Sequence, residues 1–158
     1  MNPYLKQYQQ TQVQTSSPEM LLIMLYDGAI QFLNKAKIGI ENNDIEEIHN
    51  NILGAQRIIT EFMSTLNMKI GGEVARNLYN LYDYLHYRLV QANLKKDAAM
   101  VDEVLVHLKD LKQTWEEAIK IAAKERAGRE EEGLSSQNND EEDEPEDEEA
   151  EEINDEEQ

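Results

Sequence analysis

The chain has no cysteine. That excludes a disulfide framework, a thiol nucleophile and a cysteine-based zinc site. No apolar run reaches the roughly 18 residues that mark a membrane span, so no membrane insertion is expected. No cationic-then-apolar opening reads as a secretory signal, and a cytoplasmic protein is the expectation. No segment alternates apolar and polar residues with period two, so no sheet is expected. A phosphate loop is missing too: Gly71-Gly72 has neither a preceding strand nor a following Lys-Ser/Thr. Basic stripes are also lacking, which argues against nucleic acid as a partner.

What the chain does have is acid, and it is unevenly placed. The net charge is −18 over 158 residues. Residues 129–158 carry 17 acidic residues and one arginine, so the body is close to neutral. The stretch 128–158 has almost no apolar residues and cannot offset the entropy of ordering. It is expected to be a disordered, solvating tail. The opening segment, residues 1–16, is polar but carries Tyr4, Leu5, Tyr8 and Val13. It is too weak for an independent helix, though it could be helical when docked.

Between these ends, residues 17–127 read as one domain of four helices. The first is expected over about 17–41. Ser16 or Ser17 can cap it, Pro18 suits the first turn, and Glu19 can complete a capping box with Ser16. The second is expected over about 44–67 with Asn43 as cap, and Gly71-Gly72 breaks the chain after it. The third is expected over about 73–95. The fourth is expected over about 97–126, with Asp97 as cap and Gly128 just past its end.

Each helix carries an apolar seam at 3,4 spacing. The first gives Leu22, Leu25, Ala29, Phe32, Ala36 and Ile40. The second gives Ile45, Ile48, Ile52, Ala55, Ile59, Phe62 and Leu66. The third gives Val74, Leu78, Leu81, Leu85, Leu89 and Ala92. The fourth gives Val101, Val104, Leu108, Leu111, Trp115, Ala118 and Ala122. Short loops between long helices make neighbours antiparallel. The fold class is therefore all-α, an antiparallel four-helix bundle. A shift of 56 residues lays Leu25-Tyr26-Asp27 on Leu81-Tyr82-Asp83 and superposes the second seam on the fourth. Two similar hairpins make the bundle.

The first helix contains Asp27-Gly28, a turn dipeptide in the middle of a helical pattern. Gly28 falls at the edge of the seam, where a missing side chain makes a packing notch that lets a neighbouring backbone come close. Asp27 points away and reads as a solvated charge. Beyond the seam, Met20, Ile23, Met24, Tyr26 and Ile30 make this helix apolar on several sides. Tyr79, Tyr82, His86 and Val90 form a second stripe on the third helix. Surplus apolar surface on two helices points to a protein-binding groove, covered by the N-terminal segment or by an external amphipathic helix; the alternative is that these residues thicken the core.

Enzyme chemistry finds little support. Glu46-x-x-His49 and the partial Asp83-x-x-His86 have the spacing of dimetal bundles, but Glu46 lies well off the seam where ligands must be. His107 follows Glu103 by four residues and reads as a surface pair. Ser16 and Ser17 have no neighbouring base. No catalytic residue, metal or cofactor is assigned.

The stretches NPYLKQYQQTQVQTSSPEMLLIMLYDGAIQFL and GGEVARNLYNLYDYLHYRLVQANLKKDAAMVDEV, with Trp115 and its flanks, resemble the FliS family of flagellar export chaperones. The likeness covers about residues 2–126 and leaves the acidic tail outside. It implies a helical bundle that binds the C-terminal segment of unassembled flagellin, prevents premature polymerisation in the cytosol, and helps deliver flagellin to the cytoplasmic domain of the export gate. It implies that Tyr4–Val13 lies over the client groove and that Tyr8 contacts the gate. Such a chain is expected to be a monomer with its client and to self-associate weakly when free. The competing reading is a general, non-enzymatic helical adaptor for other export proteins.

Overall fold

The computed structural model describes residues 17–140, with side-chain surroundings for 17–136. Tyr4, Leu5, Tyr8, Val13 and Ser16 lie outside the described residues. Four helices follow one another: α1 (Pro18–Glu41), α2 (Ile45–Thr65), α3 (Met68–Lys95) and α4 (Ala98–Asp140). The chain divides into two compact units at Ile119 and Lys120, within α4. The four-helix bundle belongs to the first unit.

Local chemistry sets the helix ends. Ser17 caps α1: its Oγ accepts from the Met20 N–H at 3.2 Å, and Pro18 occupies the first turn. Asp44, not Asn43, caps α2 by accepting from the Glu47 N–H. Asn43 instead takes the left-handed conformation, at φ 54°, which asparagine tolerates better than most residues. Asn67 caps α3 through the N–H groups of Lys69 and Ile70, an unforeseen start at Met68, five residues before 73. Gly72 interrupts that helix at φ 52° and ψ −125°, so the break expected at Gly71-Gly72 is a kink after one turn. The Asp97 side chain accepts from the Ala99 N–H at 2.9 Å, as its capping position suggests.

The largest departure is the length of α4. The expected end at 126 is overturned, since the helix passes Gly128 and Gly133 and continues to Asp140. A single glycine costs about 1 kcal/mol in a helix, which Lys, Glu, Arg and Ala on either side can offset. From Lys120 to Ser136 every residue is exposed, so propensity and not packing carries this part.

In the bundle each helix touches two neighbours in antiparallel register. Tyr26 stacks on Phe62 and Gly39 abuts Ile48, which sets α1 against α2. Phe62 meets Tyr82, and His49 meets Asn93, which sets α2 against α3. Arg88 pairs with Glu103 between α3 and α4. Lys112–Asp27 and Lys37–Asp102, both at 2.6 Å, close α4 against α1.

The core holds most of the expected seams, including Ile48, Ile52, Ile59, Leu85, Leu89, Val101, Val104 and Leu108. Four seam positions are corrected: Ile45, at 60% exposure, and Val74, at 68%, lie outside it, and Ala118 and Ala122 are exposed. Leu33 and Leu105 are core residues that the seams left out. On α1 the buried set is Tyr26, Ala29, Leu33, Ala36 and Gly39. Its centre lies roughly 15° round the helix from the expected seam at 100° per residue. Gly54 of α2 lets the Phe32 ring in so closely that a Cβ there would lie 2.7 Å from Cε1. The helices therefore approach along that side, and the larger Tyr26 and Leu33 fill the centre.

Candidate functional site

Tyr26 and Tyr82 were expected on the outer stripes, and both are core residues, at 0% and 2% exposure. Their hydroxyls meet at 2.5 Å across the bundle diagonal. The Trp115 Nε1–H donates to the Tyr26 oxygen at 3.1 Å. Phe62 lies against both tyrosine rings, with centroids 4.4 and 5.3 Å away. Each helix thus contributes one ring to a single cluster, which satisfies the buried hydroxyls and the indole. Burial raises the Tyr26 pKa well above its ordinary 10.0, aided by the hydrogen bond to Tyr82; burial raises that of Tyr82 too. The pair is 56 residues apart, the same interval as the internal repeat, so it sits where the two hairpins' equivalent positions meet.

The remaining stripe residues are not brought together. On α1, Ile23 and Ile30 share an angular position with Asp27 and Lys37, at 100° per residue. Those two charges reach α4, so this part of α1 borders the α1/α4 face. Ile23, Met24 and Ile30 are half-buried and Met20 is exposed. Asp27, read as a solvated charge, is corrected to an ion-pair partner of Lys112. Gly28 is a notch, but for a side chain: a Cβ there would lie 3.3 Å from the Ile58 methyl.

Tyr79, His86 and Val90 of α3 border the opposite face, against α2. Two depressions lie in line there. One, of about 460 Å³, is lined by His49, Leu53, Gln56, Val90, Asn93, Leu94 and Lys96. The other, of about 320 Å³, is lined by Thr60, Met63, Ser64, Tyr79, Asp83 and His86. The lining positions recur every three or four residues on both helices, so the depressions form one furrow along their length. The hairpin repeat accounts for the split. It exchanges α1 with α3 and α2 with α4, and so carries the α1/α4 face onto the α3/α2 face. One face is tied by two ion pairs, and the other is a furrow.

Leu53, Met63 and Leu94 belong to this furrow and were missed in the sequence. Their signal was present as apolar residues off the α2 and α3 seams, and Leu94 is 80% exposed. His49 and His86 fall in different depressions. Among the described residues no three His, Cys, Asp or Glu side chains gather as a metal site. Glu103, expected to pair with His107, binds Arg88 at 2.7 Å and accepts from the Tyr84 hydroxyl. No helix among the described residues is long and apolar enough to cross a membrane.

The furrow is an elongated surface that sets Leu53, Met63, Val90 and Leu94 among polar side chains such as His49, Asn93, Lys96, Asp83 and His86. The family model for the flagellar protein FliS matches residues 1–122. The chain is 42% identical over 127 residues to the flagellar secretion chaperone FliS of Bacillus subtilis (strain 168), covering 80% of this chain and 93% of that one. It is 37% identical over 106 residues to the FliS chaperone of Salmonella typhimurium, covering 66% and 78%. With that of Vibrio cholerae serotype O1 it shares 32% over 117 residues, covering 74% and 86%. The chain belongs to the FliS family of flagellar secretion chaperones.

Proposed function

We propose that the protein binds the C-terminal segment of unassembled flagellin in the cytosol, with the α2/α3 furrow as a main part of the binding surface. Bound there, the segment cannot polymerise, and the complex can be handed to the cytoplasmic domain of the export gate. The observation that carries this reading is the open furrow walled by Leu53, Met63, Tyr79, Val90 and Leu94. An amphipathic client helix buries its apolar face in such a furrow through anchors one turn apart. Ordering a disordered terminus costs about 2–5 kcal/mol, so residues beyond the furrow, including Met20 and Ile23 on α1, serve as further contacts. No catalytic step is required.

The test is titration calorimetry with a flagellin C-terminal peptide. Val90→Glu and Leu94→Glu each place a charge on the furrow wall. They should weaken binding at least about tenfold, one 1.4 kcal/mol step, with little change in melting temperature. Unaltered binding by both variants would remove the furrow from the client surface. The N-terminal residues 1–16 act in this reading as a displaceable cover, which lowers apparent affinity by the closed fraction. A chain starting at Thr15 keeps the Ser17 cap and should bind the peptide faster or more tightly. Equal rates and affinities would rule the cover out.

A further inference from the structure

We propose that the larger depression of the furrow is a receptor for a chain-terminal carboxylate, the last group of the bound protein segment. This rests on the client reading above and names which end of the client lies where.

The depression sits at one end of the furrow. His49 belongs to the beginning of α2, and Asn93 and Lys96 belong to the end of α3. Its walls are apolar, from Leu53, Val90 and Leu94, and its polar groups are His49, Gln56, Asn93 and Lys96. No carboxylate lines it. The neighbouring acids are otherwise placed: the Asp97 carboxylate accepts from the Ala99 N–H, and neither Glu46 nor Glu47 borders the depression. Lys96 pairs with no carboxylate among the described residues. Lys37, Arg88 and Lys112, by contrast, each reach a carboxylate on a neighbouring helix.

A hydrogen-bond relay fixes what these groups offer. The Lys96 ammonium can only donate, and it does so to the Asn93 Oδ1 at 2.5 Å. The Asn93 amide nitrogen is then the donor to the His49 Nδ1, at 2.9 Å. A neutral imidazole that accepts at Nδ1 carries its proton on Nε2. The remaining ammonium N–H groups and the imidazole Nε2–H are thus left as donors. Lys96 is also held in place by its backbone, in the left-handed conformation at φ 51°, where it ends α3. A cation with spare donors beside three aliphatic side chains matches a carboxylate carried by an apolar residue. A side-chain carboxylate could meet the donors from anywhere along a client helix. A chain terminus is the group that stops at the end of a furrow, and it brings an apolar side chain on the same residue.

The test uses the full chain and a flagellin C-terminal peptide in two forms, with a free terminal carboxylate and with a terminal amide. The free acid should bind about tenfold more tightly, and Lys96→Asn should abolish that preference. Asparagine tolerates the left-handed backbone, so the variant should melt like the parent. If acid and amide bind equally well to the parent chain, the terminus lies elsewhere and the carboxylate receptor is wrong, while the flagellin reading stands. If Lys96→Asn keeps the full preference, the assignment to this depression is wrong. If neither form binds, the client reading falls and the receptor falls with it.

Discussion

At the scale of single residues, the aromatic cluster is the feature with the clearest chemical consequences. In Tyr26→Phe, Trp115 loses the acceptor for its indole N–H and Tyr82 loses its hydroxyl partner. A lost buried hydrogen bond costs about 1–3 kcal/mol, so the variant should melt several degrees lower while keeping its helicity by circular dichroism. The same hydroxyls set a response to alkali. Both tyrosine pKa values are raised in the folded chain, first of all by burial. A raised acid holds its proton more firmly when folded than when unfolded. Its contribution to stability is complete below the ordinary value near 10.0 and declines as pH rises beyond it. Thermal melts from pH 8 upward should therefore show a fall in midpoint beginning near pH 10, and Tyr26→Phe should show a smaller fall. Gly54 makes a second residue-scale case. A methyl group there would press on three atoms of the Phe32 ring, the nearest at 2.7 Å. Gly54→Ala should lose about 1–3 kcal/mol through overpacking, outweighing the gain in helix propensity.

At the scale of elements, α4 separates two sources of helix stability. Up to Trp115 its inward residues pack on the core, and from Lys120 to Ser136 nothing is buried. Truncation after Gly128 should change folding stability by less than about 1 kcal/mol, below a typical core effect. Chemical denaturation would measure it, and a larger loss would place the removed segment against the body. Far-ultraviolet circular dichroism should fall by the helix removed. The existence and order of all four helices were legible in the apolar spacing, as were the caps Ser17 and Asp97. The end of α4 was not, because a glycine followed by polar residues looks like a stop when only burial is counted. The start of α3 was hidden for the converse reason: Asn67 caps a turn whose Met68 and Ile70 face outward, so no seam announces it.

At the scale of the whole bundle, the two hairpins are related by their 56-residue interval, and the interval explains what the sequence did and did not disclose. Surplus apolar residues on α1 and α3 were legible. Their placement on opposite faces was not, because periodicity gives an angle about each helix and not the neighbour that it faces. Tyr26 and Tyr82 show the limit: each lies well off the centre of its apolar seam, yet both are core residues. The α1/α4 face depends on ion pairs that stay partly exposed. Such pairs contribute little individually, so Asp27→Asn should lower stability by less than about 1 kcal/mol, as read from denaturant midpoints. The bundle also carries its own optical reporter. Trp115 is the sole tryptophan, and its indole is tied to the diagonal cluster rather than to the α2/α3 furrow. Its emission should shift to the red when the chain unfolds. A tryptophan-free peptide seated in the furrow should leave that emission nearly unchanged, so the same fluorophore that follows folding stays silent to occupancy of the furrow.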